Sequence, residues 1–413
     1  MNVKIKPFNA LGTILAPPSK SFAHRLIIAA AIGGGDCFIE NVGDSEDVKA
    51  TIYAVSALGA DINYDGKNAY VGKVDIPEKA AVDCIQSGST LRFLIPVAAA
   101  LGVDTLFTGE TSLMSRPTDA YRDCFNGHGA KFDGERVSGK LTAGKYVLDA
   151  SLSSQYVSGL LLGLSAIDGE SEIVLSGKTV SQGYADITAK ILKDFGVEIS
   201  ETGKGYKIRG GTVKAPKKVT AEGDWSGAAF FLSLWAVCGT VRVKGLTFPS
   251  LQRDCKILDI LKEFGAKISV EDDLITVKKA PLTAVKNIDC ENFPDLAQVI
   301  SVVAAYAKGT TSLSGVERLK IKESDRIAAI INTLCLAGIA AEYDGNLLKI
   351  HGGTPCGAKI SGGNDHRTVM SAAVLAAGAT GNSEITGAEA HVKSYVAFFN
   401  DYKKAGGDID VVL

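Results

Sequence analysis

Apolar positions along the chain follow two alternating rhythms. In stretches such as Asp186-Ile-Thr-Ala-Lys-Ile-Leu-Lys-Asp-Phe195 they recur at three and four residues, which predicts amphipathic helices. In Lys267-Ile-Ser-Val270 and Leu274-Ile-Thr-Val277 they alternate, which predicts short strands. A glycine separates the two rhythms six times: Gly59-Ala-Asp-Ile62, Gly129-Ala-Lys-Phe132, Gly196-Val-Glu-Ile199, Gly265-Ala-Lys-Ile268, Gly338-Ile-Ala-Ala341 and Gly406-Gly-Asp-Ile409. Their spacings are 70, 67, 69, 73 and 68 residues, and 413 residues divided by six gives 69. A glycine just past the last helical turn closes a helix without steric cost.

A second set of helices keeps the same period. They start near Ser19, Ser87, Ser153, Asp224, Pro294 and Asn364 and continue as Ala/Leu/Val-rich runs such as Leu160–Leu164 and Ala372–Ala377. Helices apolar on most faces are buried helices. Each repeat therefore predicts strand, buried helix, strand, amphipathic helix and strand pair. One hydrophobic core stops growing near ~250–300 residues, so six repeats are expected to group three and three, with a break near residues 221–224. The opening stretch, with Val3, Ile5 and Phe8 alternating, is a strand that either half could take.

Composition narrows the function classes. Lys plus Arg number 44 and Asp plus Glu 46, a balance unlike the basic excess of a general nucleic-acid binder. No apolar run approaches the ~20 residues of a membrane helix, and the N-terminus lacks the apolar core of a signal peptide. The eight cysteines are spread without a CxxC pair, which suits buried thiols in a reducing compartment and not a zinc site.

The chemistry-bearing clusters coincide with the predicted helix starts, where free N–H groups and the helix dipole favour anions. Pro17-Pro-Ser-Lys-Ser-Phe-Ala-His-Arg25 puts Lys20 in an opening turn, where a cation opposes the dipole unless an anion binds. Gln86-Ser-Gly-Ser-Thr-Leu-Arg92 offers a small turn with Arg92 behind it, and Ser151-Leu-Ser-Ser-Gln155 offers hydroxyls and an amide. Arg116 precedes Pro117, expected at a helix start. Lys320-Ile-Lys-Glu-Ser-Asp-Arg326 packs five charges into seven residues, and Asn364-Asp-His-Arg367 opens a buried helix. Asp295 and Lys393 are uninformative alone. Cations from both halves with a few acids suggest a site between two domains for polyanionic substrates. A phosphate-binding GxxxxGK[ST] loop and a GxGxxG turn are both missing.

The runs Lys20-Ser-Phe-Ala-His-Arg25, Ser153-Ser-Gln155, Lys322-Glu-Ser-Asp-Arg326 and Asn364-Asp-His-Arg367 resemble the 5-enolpyruvylshikimate-3-phosphate synthase family, in order and over the whole chain. The resemblance implies a two-domain inside-out α/β barrel of six βαβαββ repeats, with residues 13–222 as one domain and 1–12 plus 223–413 as the other. It implies transfer of the enolpyruvyl group of phosphoenolpyruvate to the 5-hydroxyl of shikimate 3-phosphate, by a cytoplasmic monomer with no metal or organic cofactor; candidate ligands from both halves add the expectation of domain closure on substrate binding. Lys20, Ser21, Arg25, Ser153, Ser154, Gln155, Ser181, Tyr184 and Lys322 match shikimate 3-phosphate contacts. Lys20, Gly88, Arg116, Arg326, Arg367 and Lys393 match phosphoenolpyruvate contacts. Asp295 matches the proton acceptor and a shikimate ligand; Glu323 or Lys393 supplies the methylene proton. The chain departs from the family pattern at Gln86, at Gln182-Gly183 and at Gln252-Arg253-Asp254. Two other classes share some of these features. A UDP-N-acetylglucosamine enolpyruvyl transferase commonly carries a loop cysteine before the arginine–proline pair, and Glu110–Arg116 has none. A non-catalytic anion-binding repeat protein would not need Asp295 and Glu323 beside the cations.

Overall fold

The computed structural model describes residues 1–151, 153–177 and 183–412. Its chain divides into two compact units, Met1–Pro17 with Gly223–Leu413, and Pro18–Glu222. Each unit has its own apolar core.

The described residues form six four-stranded sheets, three in each unit. One sheet shows the pattern. Lys145–Asp149 runs parallel to Gly169–Ser176, which pairs antiparallel with Gly205–Gly210, and Glu198–Thr202 closes the edge. The parallel pair is bridged by the buried helix Ser154–Ser165, and the amphipathic helix Gly183–Asp194 leads to the hairpin. Burial alternates along the strands: Tyr146 and Leu148 are buried, whereas Lys145, Val147 and Asp149 face solvent. Such a sheet covers helices on one face only. The six glycines that mark the period, Gly59, Gly129, Gly196, Gly265, Gly338 and Gly406, all have positive φ, from 79° to 105°. A side chain at each would be strained there.

The unit boundary falls between Pro17 and Pro18 and not between residues 12 and 13. Strand pairing explains the difference. Ala10–Leu15 lies parallel to Gly239–Lys244, so residues 13–17 stay with that sheet. The opening strand Asn2–Lys6 lies antiparallel between Ser383–Thr386 and Asp408–Val412, which fixes its unit. Lys218–Thr220, at the end of the other unit, pairs parallel with Cys37–Glu40.

The buried helices of one unit are Lys20–Ile32, Gly88–Leu101 and Ser154–Ser165. Gly88–Leu101 and Ser154–Ser165 touch backbone to backbone: a Cβ at Gly159 would lie 2.2 Å from the Arg92 carbonyl oxygen, and one at Gly163 2.6 Å from that of Pro96. The buried helices of the other unit are Trp225–Cys238, Ala297–Ala305 and His366–Ala377. Two sequence expectations change. Pro117 precedes the cap Thr118, outside the helix Asp119–Cys124, and Cys335 and Cys356 are exposed, not buried. Among the described residues no helix is long and apolar enough to cross a membrane.

Candidate active site

In the unit Pro18–Glu222 the buried helices begin at caps Ser19, Ser87 and Ser153. Ser87 accepts from the Thr90 amide at 3.2 Å and Ser153 from the Gln155 amide at 3.2 Å. The polar side chains gather at these starts. Arg25, 2% exposed, donates from Nε to Thr188 Oγ1 at 2.6 Å and from Nη1 to the Ser21 carbonyl at 2.7 Å. Its Nη2 donates to Ser158 Oγ at 3.0 Å and to the Tyr184 carbonyl at 3.1 Å, and the guanidinium lies over the Phe93 ring. All these partners are neutral, and burial pushes the Arg25 pKa down. A desolvated cation without a counter-charge gains from an anionic ligand.

Gly88 is where three further groups meet. A Cβ there would lie 3.1 Å from Arg92 Nη1, 3.2 Å from Arg116 Nη1 and 3.8 Å from Gln155 Oε1. Arg92 Nη1 donates to Gln155 Oε1 at 2.7 Å, and Gln155 Nε2 to Ser89 Oγ at 3.0 Å. Lys20 is not a lone cation: Asp47, in the first turn of Glu46–Ala57, holds its Nζ at 2.6 Å. Ser154 is buried at the same helix start. Ser181 lies outside the described residues.

The other unit carries a denser charge cluster. Arg326, 1% exposed, binds three carboxylates. Its Nε meets Asp365 Oδ2 at 2.8 Å and its Nη2 meets Asp365 Oδ1 at 3.2 Å. Glu323 Oε2 lies 2.6 Å from Nη2 and Asp295 Oδ1 3.1 Å from Nη1. Asp295, on the 3-10 turn Pro294–Leu296, also meets Arg367 Nη2 at 3.1 Å and Lys322 Nζ at 3.7 Å. Arg367 Nη1 donates to the Asp295 carbonyl at 3.1 Å. Lys393 donates to the Asn364 carbonyl at 2.8 Å.

Electrostatics sort these groups. Burial would raise the Asp295 pKa, but Arg367, Lys322 and Arg326 outweigh it and hold the carboxyl well below the usual range. Asp365 behaves likewise: burial raises it, and Arg326 and His366 bring it down. Asp295 pulls the Lys322 pKa up, yet burial and Arg326 leave it below that of an ordinary lysine. The cluster thus keeps an ionised, half-shielded carboxylate among cations, which suits proton acceptance beside bound anions. Among the described residues no group of three His, Cys, Asp or Glu side chains is arranged to hold a metal.

The structure gathers Lys20, Ser21, Arg25, Gly88, Arg116, Ser153, Ser154, Gln155 and Tyr184 in one unit, and Asp295, Lys322, Glu323, Arg326, Arg367 and Lys393 in the other. In sequence Asp365 is only one residue of the run that opens a buried helix. It does cap the Arg367 amide at 2.9 Å, and it is also the bidentate partner of Arg326. Asp47 was missed, since nothing local ties it to Lys20. Lys320 does not join the cluster; it lies over the Tyr343 ring.

Comparison with known proteins agrees with this architecture. The chain is 37% identical to the 3-phosphoshikimate 1-carboxyvinyltransferase of Clostridium novyi, covering 99% of this chain and 98% of that one. It is 38% identical to the enzyme of that name from Thermococcus kodakarensis, covering 97% and 99%. The EPSP synthase structure from Acinetobacter baumannii superposes with a TM-score of 0.85 at 25% identity, over 99% of this chain and 100% of that one. Residues 5–402 match the profile of EPSP synthase (3-phosphoshikimate 1-carboxyvinyltransferase), and with these relatives that match makes the chain a member of the EPSP synthase family.

Proposed function

We propose that the protein transfers the enolpyruvyl group of phosphoenolpyruvate to the 5-hydroxyl of shikimate 3-phosphate, releasing phosphate. The observation that carries this reading is Asp295: a buried carboxylate kept ionised by Arg326, Arg367 and Lys322. A protein that only binds anions has no use for an acid in that position. In the unit Pro18–Glu222, Arg25, Ser21, Ser153, Ser154, Gln155 and Tyr184 hold the shikimate phosphate. Gly88 and Arg116 contact phosphoenolpyruvate, as do Lys20, Arg326, Arg367 and Lys393. Lys322 and Asp295 hold the shikimate ring.

The residues then act in sequence. Asp295 removes the proton of the 5-hydroxyl. Glu323 or Lys393 protonates the methylene carbon, the oxygen bonds to the adjacent carbon, and a tetrahedral intermediate forms. Loss of a methyl proton and of phosphate leaves the enolpyruvyl ether. The cations offset the charge of both substrates and fix the reacting atoms, so positioning carries much of the rate. The family resemblance further assigns a monomer in the cytoplasm.

Mass analysis of the product tests the choice of acceptor. Shikimate 3-phosphate with phosphoenolpyruvate yields the enolpyruvyl ether, and UDP-N-acetylglucosamine in its place yields none. The opposite preference would overturn the reading. Gly88→Ala probes the arginine pocket. The added methyl pushes Arg92 and Arg116 outward by a few tenths of an ångström. The KM for phosphoenolpyruvate is expected to rise about tenfold with the fold intact, because small misplacements weaken oriented charge contacts. Steady-state kinetics at fixed shikimate 3-phosphate checks this, and an unchanged KM would remove Gly88 from the site.

A further inference from the structure

One buried carboxylate has no part in the chemistry above. Asp254 stands on the 3-10 turn Arg253–Lys256 and is 2% exposed. Its Oδ2 accepts from Ser226 Oγ, in the first turn of the helix Trp225–Cys238. Its Oδ1 is fully buried and has no hydrogen-bond partner among the described residues. The orientation is imposed by the neighbouring side chain. Gln252 Oε1 accepts from the Trp225 amide at 3.1 Å, and its Nε2 donates to the Gly223 carbonyl at 2.8 Å. The turn is therefore locked across the N-terminus of that helix, with Asp254 facing inward.

The charges around Asp254 are Asp224, which caps the same helix, Asp295 and Arg367. On its own turn Arg253 and Lys256 are exposed, and Cys255 is half-buried. Arg367 already serves Asp295 through both its Nη atoms. A buried carboxylate with no cation in contact resists ionisation. Burial and Asp295 push the Asp254 pKa up, to about 7, against the opposing pull of Arg367 and Ser226.

We propose that Asp254 is a positioning residue for the transfer reaction: protonated, it leaves the charge of Arg367 to the substrate anion, and ionised, it takes part of that charge for itself. The inference rests on Arg367 being a phosphoenolpyruvate contact. Below neutrality Asp254 is uncharged and draws none of the Arg367 charge away from the anion. As pH rises through the Asp254 transition, attraction falls and KM rises, whereas kcat moves less.

The test is the pH dependence of KM for phosphoenolpyruvate in the wild-type protein and in Asp254→Asn. Asparagine keeps the shape and the Ser226 contact and cannot ionise. Dividing wild-type by variant values cancels the titration of the substrates themselves. From about pH 6 to about pH 8.5 the ratio is expected to rise about tenfold, the scale of one charge acting over several ångström in a protein interior. Ser226→Ala removes a hydrogen bond that favours the ionised form, so its transition moves to higher pH. Independently of turnover, the wild-type protein at low pH shows an infrared carboxylic-acid band that Asp254→Asn lacks. A flat KM ratio overturns the proposal whether or not the band is present, and so does a missing band. Failure of the underlying assignment looks different: Arg367→Gln would then leave KM for phosphoenolpyruvate unchanged at every pH while the band persists.

Discussion

Asp295→Ala is expected to lower turnover by about 10²–10⁴-fold, the usual worth of a positioned general base, while the protein stays folded. The carboxyl is held ionised by Arg367, Lys322 and Arg326, so it is ready to take a proton at any ordinary pH. A carboxyl held so low is a weak base on its own. Two anionic substrates change that, because they share the same cations and let its basicity rise when the 5-hydroxyl is beside it. Asp295→Asn separates the base from the shape: it keeps the size and a hydrogen-bonding group and cannot accept the proton. Both variants should bind shikimate 3-phosphate within about tenfold of wild type and fail at the chemical step, a loss in kcat more than in KM. Rapid-quench measurement of a single turnover checks this, and Asp295→Asn turning over within tenfold of wild type would remove Asp295 as the base. The fold survives because Arg326 retains Glu323 and Asp365 when Asp295 is gone.

Arg326→Met is expected to cost about 3–5 kcal/mol of stability at neutral pH and to abolish turnover. Methionine fills a similar volume, so the loss is electrostatic. Arg326 is nearly fully buried and binds Asp295, Glu323 and Asp365. Without it Asp365 is a buried acid whose remaining partners are the Ser324 hydroxyl, the Arg367 amide and the nearby His366 ring. The pH dependence has a definite sign. In the wild-type protein Asp295 and Asp365 have lowered pKa values. Their contribution to stability is present above the unfolded value of about 4 and is lost as pH falls through the folded values. In the variant Asp295 keeps Arg367 and Lys322, but Asp365 loses its main counter-charge and resists ionisation, so the variant's stability falls as pH rises through the Asp365 transition. The gap between the two proteins is therefore widest near neutrality and narrows toward about pH 4. Urea unfolding at several pH values measures it, and a gap that is small or constant with pH would contradict the account.

The six-fold period was legible because it depends on local rules. Each period ends a helix at a glycine and starts the next buried helix at a polar cap, and both signals occupy a few adjacent residues. Gly196 and Ser153 are examples whose sequence roles and backbone conformations coincide. The clusters at helix starts were legible for the same reason. What was not legible depends on distant partners. Nothing near Ala10–Leu15 announces Gly239–Lys244 as its neighbour, and that pairing moves the unit boundary to Pro17. Asp47 is 27 residues from Lys20, and Asp365 is 39 from Arg326. In sequence Asp365 is one residue of a run that opens a helix and Asp47 carries no signal, and only folding turns them into ion-pair partners. Asp254 was hidden in the same way, since a single acid at the start of an amphipathic helix is ordinarily solvated. The exposed Cys335 and Cys356 show the reverse: a small apolar residue type is buried often, not always.

This chain is expected to join phosphoenolpyruvate to shikimate 3-phosphate. Phosphate release by the purified protein, with both substrates and then with each omitted in turn, tests it most directly. Release is expected only when both are present, and it is lost in Asp295→Ala. Release from phosphoenolpyruvate alone, or none from folded protein supplied with both, would contradict it.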